Sequence, residues 1–196
     1  GQIRAMVTVA GNPVLSAPDG ARLSVALAGL DFMVSIDPYL NETTRNADVI
    51  LPPPPPSRSP HFDVALSNTA VRNTARYSPP ILGLPHDRLD EVAILCRLTL
   101  GVLGAGTDAD PDLVDQQIIA TVLAKEVADP GSPVHGRDVA ELAGMLIDGP
   151  GYERRLDMML RLGPFGEAFG GSPDGLTLQR LKDNPHGVDL GPMVPR

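Results

Sequence analysis

The chain has 196 residues, 42% hydrophobic and 20% charged, which suits one sizeable folded core, or a core with a helical annex, and excludes a disordered polypeptide. A formal charge of -8 disfavours generic nucleic-acid binding, and four Phe, three Tyr and no Trp leave few rings for stacking on bases or sugars. A single cysteine, Cys96, excludes an internal disulfide framework, a four-cysteine zinc site and an iron–sulfur cluster held by this chain alone.

Ile3–Ala10 is a short β-branched apolar run and reads as a buried strand, broken by Gly11-Asn12-Pro13. Ser16-Ala17-Pro18-Asp19 has the pattern of a helix start: a capping Ser, a Pro in the first turn and an acid three residues on. Leu23, Ala26, Leu27 and Leu30 then form one apolar helical stripe, with Gly29 suited to its end. Phe32–Ile36 is a second strand, Asn41–Asn46 a turn or two of helix, and Val49–Leu51 a third strand stopped by Pro52. The connections are too long for hairpins, so the strands should run parallel with right-handed crossovers. The expected class is α/β, part of a doubly wound, Rossmann-like parallel sheet followed by a mainly helical segment.

Pro52–Pro56 reads as a stiff polyproline spacer. Residues 57–86 form an irregular connection with two weak strand-like pieces, around Asp63–Leu66 and Ala70–Tyr77. From 87 to 186 the pattern is helical. Asp87 caps a helix to about Leu103, Asp110-Pro111 opens one to Ala128, and Asp138 with Glu141 opens a third to Ile147. Tyr152–Leu162 and Leu176–Lys182 are shorter candidates, and residues 187–196 read as an extended tail. The start at Gly1-Gln2 and this tail point to a piece cut from a longer polypeptide. No apolar run reaches the ~18 residues of a membrane span, and with no signal peptide at its start the expected location is cytoplasmic.

In open parallel sheets ligands bind beyond the carboxyl ends of the strands. Asn12 follows the first strand, beside Gly11, where the backbone can come close to a phosphate or a sugar. Asp37 follows the second, and its carboxylate can accept two hydrogen bonds from a ribose diol or from a guanine amide–amine edge. Neither G-x-G-x-x-G nor G-x-x-x-x-G-K-[ST] occurs. His61, His86, His135 and His186 lack metal-ligand spacing, Cys96 falls on the apolar side of a helix, and no nucleophile elbow is present. Asp108–Asp112 lacks the Gly and closing Glu of a calcium loop.

Val9–Pro13, Asp31–Asp37 and Glu42-Thr43-Thr44-Arg45-Asn46-Ala47-Asp48-Val49-Ile50-Leu51-Pro52 together resemble a passage of the molybdopterin oxidoreductases, the family of formate dehydrogenases, periplasmic nitrate reductases and dimethyl sulfoxide reductase. Its members show a strand, G-x-N-P, a helix, a strand ending in an acid, then E-T-x-x-x-A-D-x-x-L-P. The likeness is good from Ile3 to Pro52 and loose from Asp87 to Gly104. It implies an internal fragment of the catalytic subunit, from the third of four domains, contacting the guanosine part of a molybdopterin guanine dinucleotide. On matching positions Gly11 and Asn12 meet the nucleotide, Ile36 and Asp37 hold the guanosine, and Asp90 adds a further contact. The five prolines and Ser57–Asp63 replace the family's usual residues after L-P, so contacts there do not carry over. The implied parent enzyme holds molybdenum on this cofactor, with an iron–sulfur cluster possible in its other parts. The implied partners are its remaining domains, and the fragment alone is inert. Two other readings stand beside this one: a stand-alone α/β protein-interaction module without cofactor, and a small nucleotide-processing hydrolase.

Overall fold

The computed structural model describes residues 2–65, 69–106 and 108–193, which divide into two compact units. One comprises residues 1–59 and 82–94, the other 60–81 and 95–196.

In the first unit, β1 (Ala5–Val9), β2 (Phe32–Ile36) and β3 (Val49–Ile50) form a parallel sheet in the order β1-β2-β3. Ala5 pairs with Phe32, Val9 with Ile36, and Val34 with Val49. The parallel direction is the one the crossover lengths require. Met33, Val34, Ser35 and Ile36 on the central strand are buried. The Thr8 and Ser35 hydroxyls meet across β1 and β2 at 2.8 Å, which satisfies two polar groups on an otherwise apolar sheet.

The helical segment between β1 and β2 is broken in two, where the sequence pattern suggests one helix opening at Ser16. Helix α1 (Pro13–Ser16) stops because Pro18 has no N–H to continue the ladder. Helix α2 (Gly20–Ala28) restarts from Asp19, whose side chain accepts from Arg22 N at 3.3 Å. Gly20 is required at this joint, since a Cβ there would overlap the Val14 carbonyl. After β2 the expected helical turn is a 3-10 turn at Thr44–Asn46. The polyproline run ends in a second 3-10 turn, Pro56–Arg58. Ser57 O accepts from Leu82 N at 2.9 Å, and the Arg58 guanidinium donates to Gly83 O, so residues 82–94 return to this unit.

The second unit contains two antiparallel pairs and most of the helices. Strand β4 (His61–Phe62) pairs with β6 (Tyr77–Ser78), and β5 (Arg72–Ala75) pairs with β7 (Val188–Pro192). The strand-like piece expected at Asp63–Leu66 is not a strand at Asp63–Ala65, and Leu66 lies outside the described residues. The expected tail docks instead as β7, held by the Arg72–Asp189 ion pair (2.8 Å); its residues from 194 on lie outside the described residues.

Helix α3 is Glu91–Val102, α4 Asp112–Ala128, α5 Val139–Gly144, α6 Gly151–Leu162 and α7 Leu178–Asp183. Asp90, not Asp87, caps α3: its Oδ1 accepts from Ala93 N at 2.6 Å. Asp138 caps α5 as its spacing to Glu141 predicts, with Oδ1 accepting from Glu141 N at 2.8 Å. Helix α5 ends before Ile147 because the Ile147 N–H goes instead to Asp157 Oδ2, 3.0 Å away. Cys96 is buried in α3.

Helix α6 joins two apolar clusters. Leu160 packs with Ala75, Tyr77, Leu176, Leu178, Leu181 and Val188, while Met158 packs with Ile119, Leu123, Val134, Leu142, Leu146 and Phe169. Between them Asp157, fully buried, also accepts from Leu178 N (2.8 Å) and Arg161 Nε (2.9 Å). Among the described residues no helix is long and apolar enough to cross a membrane.

Candidate functional site

The carboxyl ends of β1 and β2 lie side by side through the Val9–Ile36 pairing, and Ala10 N donates to Ile36 O at 2.9 Å. Gly11, Asn12, Ile36 and Asp37 are therefore brought together. Ala10 (φ +54°) and Gly11 (φ +78°) are successive left-handed residues, which turn the chain sharply out of the strand. For Ala10 this conformation costs roughly 1 kcal/mol, and such strain tends to collect at functional loops. No atom lies within 4 Å of where a Cβ on Gly11 would stand, so the backbone there faces open space.

Asn12 is fixed at both ends of its amide. Its Nδ2 donates to Glu42 Oε2 at 2.5 Å, and its Oδ1 accepts from the Thr43 hydroxyl at 2.7 Å. The same hydroxyl accepts from Val14 N at 3.0 Å, and Thr43 is fully buried. Asp37 is 6% exposed. Its Oδ1 accepts from Tyr39 N (2.8 Å) and its Oδ2 from Asn41 Nδ2 at a long 3.4 Å. A carboxylate has about four acceptor positions, so Asp37 retains capacity for a ligand.

Asn41 organises the second loop, its Oδ1 accepting from Thr43 N (2.9 Å) and Thr44 N (3.0 Å). Thr44, also buried, donates to Tyr39 O (2.9 Å) and accepts from Asn41 N (2.8 Å). Asp48 pins β2 to the chain before β3: its Oδ2 accepts from Met33 N (2.7 Å), and its own N–H donates to Met33 O (2.9 Å). The polar residues from Asn41 to Asp48 thus build the loop that faces Asn12.

Glu42 is exposed, and the Asn12 amide holds its carboxyl below the usual carboxylate range, with a backbone hydrogen bond and the charge of Arg45 acting in the same direction. Glu42, Asn41 and Thr43 are absent from the site as read from sequence. The signal that marks them is the polar run after the second strand, whose two consecutive threonines have no apolar face to offer a helix. Asp90 caps α3 and has no hydrogen bond to the strand-end loops among the described residues.

Elsewhere, the second unit has a cleft of about 350 Å³ lined mainly by apolar side chains, including Phe62, Leu156, Met159, Phe165 and Leu190. Among the described residues no group of three or more His, Cys, Asp or Glu is placed to hold a metal ion.

Fifty-two residues of the chain are 40% identical to the assimilatory nitrate reductase catalytic subunit of Bacillus subtilis (strain 168). That stretch is 26% of this chain and 7% of the relative, so the likeness spans a small part of the longer protein. No family model and no solved structure matches the chain.

Proposed function

We propose that the first unit is a nucleotide-holding part of a molybdopterin-dependent oxidoreductase, and that it holds the guanosine portion of a molybdopterin guanine dinucleotide. One observation carries this reading: a mostly buried carboxylate with unspent acceptor positions, Asp37, beside a left-handed turn open to approach at Gly11, at adjacent ends of parallel strands. The short likeness to a nitrate reductase catalytic subunit favours this chemistry over other nucleotide ligands.

These residues fit the guanosine end of such a cofactor. Asp37 would accept from the guanine N1 and N2 hydrogens, and the Gly11 backbone would lie against the ligand without a side chain between. Asn12 and Thr43 join the two loops that rise from the strand ends, and the ligand would lie in the crevice between Asp37 and Gly11. When bound, the cofactor would supply metal-centred redox chemistry. This chain's part would be to bind and orient, and alone it would be catalytically inert.

The partners in this reading are the other parts of the parent chain. Val7 (53% exposed) and Phe32 (48% exposed) lie on one face of the sheet, the face shared with Val9, and β1 is an edge strand among the described residues. Val34 and Ile36 on the same face are buried, so what stays exposed is the apolar margin along the unpaired edge, and such margins are what a doubly wound domain covers with further strands and helices.

Calorimetric titration with guanosine, against adenosine as control, tests the reading. Guanosine should bind and adenosine should not, and Asp37→Asn should weaken guanosine at least tenfold by replacing a two-acceptor carboxylate with an amide. Equal response to the two nucleosides, or an Asp37→Asn variant that binds guanosine as the wild type does, refutes it.

A further inference from the structure

The crevice has an electrostatic character of its own, and the following step rests on the guanosine reading above. A strand-to-helix turn usually presents free backbone N–H groups to a phosphate. Here those of the helix start itself are spent. Pro13 has none, Val14 N donates to the Thr43 hydroxyl, and Leu15 N and Ser16 N both donate to Asn12 O at 3.0 Å. The side-chain donor of this loop, Asn12 Nδ2, is taken by Glu42. Thr43 locks the other end of the amide, so Asn12 cannot turn over without setting its oxygen against the Glu42 carboxylate.

We propose that Glu42 is a specificity-determining residue: its carboxylate occupies the Asn12 donor and keeps phosphate away from the strand ends, so that the crevice accepts the uncharged, donor-bearing nucleoside end of a nucleotide. Two acids, Glu42 and Asp37, then stand on the loops that face the ligand, linked through Asn12, Thr43 and Asn41. Asp37 favours hydrogen-bond donors such as a guanine N1–H and N2–H edge, and both acids repel an anion. A phosphate reaching the turn must displace Glu42 or sit beside it. Asn12 is the positioning residue in this arrangement, acting through the carboxylate it holds.

The experiment compares guanosine and guanosine 5′-monophosphate on wild type and Glu42→Gln. Glutamine still offers an acceptor to Asn12 but carries no charge. The wild type should bind guanosine at least as tightly as the monophosphate. Glu42→Gln should leave guanosine within twofold and strengthen the monophosphate about threefold at low salt, since one like charge a few ångströms away in a solvated site is worth that order, and salt should shrink the gain. A wild-type preference for the monophosphate, or a ratio unchanged in Glu42→Gln, overturns the proposal while leaving the guanosine reading intact. If neither protein separates guanosine from adenosine, the guanosine reading fails instead. A ligand-free arm decides the clasp in any case. Carbon-13 carboxyl titration should show Glu42 ionising below the usual glutamate range in wild type and rising toward that range in Asn12→Ala, with the backbone hydrogen bond and Arg45 still acting. An unshifted Glu42 in wild type overturns the proposal.

Discussion

Thr43→Val tests whether the two loops are joined by chemistry or by packing. Valine has nearly the volume of threonine, so the substitution opens no cavity at this fully buried position. It removes one hydroxyl that makes two hydrogen bonds, to Asn12 Oδ1 at 2.7 Å and from Val14 N at 3.0 Å. Each partner is half-buried and loses its mate, at about 1 kcal/mol apiece, so the expected loss is about 2 kcal/mol. Thr43→Ser is the counterpart. It keeps the hydroxyl and deletes one methyl, costing about 1 kcal/mol. The chain lacks Trp, so urea unfolding is best followed by circular dichroism, with amide exchange at Val14 as the local probe. The expected order of stability is wild type, then Ser, then Val, with Val14 protection lost in the valine variant and retained in serine. A valine variant as stable as serine, or one that leaves Val14 protected, refutes the view that the hydroxyl holds the loops.

Three further outcomes follow from single positions. Asp157→Ala strips the partner from Ile147 N and Leu178 N and one of two carboxylates from Arg161, which keeps Glu167, and should cost the second unit about 4 kcal/mol, or roughly 10 °C in Tm; a loss under about 1 kcal/mol in thermal unfolding would show the freed N–H groups find other partners. Gly20→Ala should destabilise the first unit by about 2 kcal/mol, because its methyl meets the backbone carbonyl of Val14; urea unfolding with no change would mean α1 yields freely. Burial first, and then its hydrogen bond to Glu153 (2.7 Å), raises the Tyr77 phenol above the ordinary value. A group raised in the fold stabilises it below the unfolded pKa, so stability should fall as pH climbs past about 10, where the unfolded phenol ionises. Tyr77→Phe should flatten that alkaline loss, and a wild-type stability unchanged between pH 9 and 11 would contradict the sign.

The strands were legible because a parallel sheet buried on its central strand writes itself as apolar runs of fixed length: Phe32–Ile36 matches β2 to the residue. Helix starts were less so, because the chain offers several caps and only tertiary contacts choose between them. The pattern names Asp87 before α3 and Ser16 before α2, whereas Asp90 and Asp19 serve, in one case because Pro18 interrupts the ladder. The pairing of β5 with β7 joins residues 117 apart, at Arg72 and Asp189, and no local pattern announces a partner at that distance. In the crevice, Asn12 and Asp37 could be given roles from their positions at strand ends, whereas Glu42 and Thr43, visible in the motif and in the polar run, could not, since their roles exist only once two loops are folded against each other.

That difference bears on what the crevice can recognise. Read from sequence, Asn12 is a donor beside a helix start, which suits a phosphate as well as a sugar. Folded, its amide and the first N–H groups of α1 are consumed within the protein, the Glu42 charge stands over that amide, and Asp37 keeps acceptor capacity beside open space over Gly11. A ligand is selected by the groups a site leaves unpaired, because paired groups must be broken before they can bind, at the full cost of a buried hydrogen bond. The acceptors left over favour a nucleoside face rich in N–H and O–H. A phosphate-bearing segment of the same ligand is then best held by residues outside this crevice, at a distance where the two carboxylates no longer oppose it.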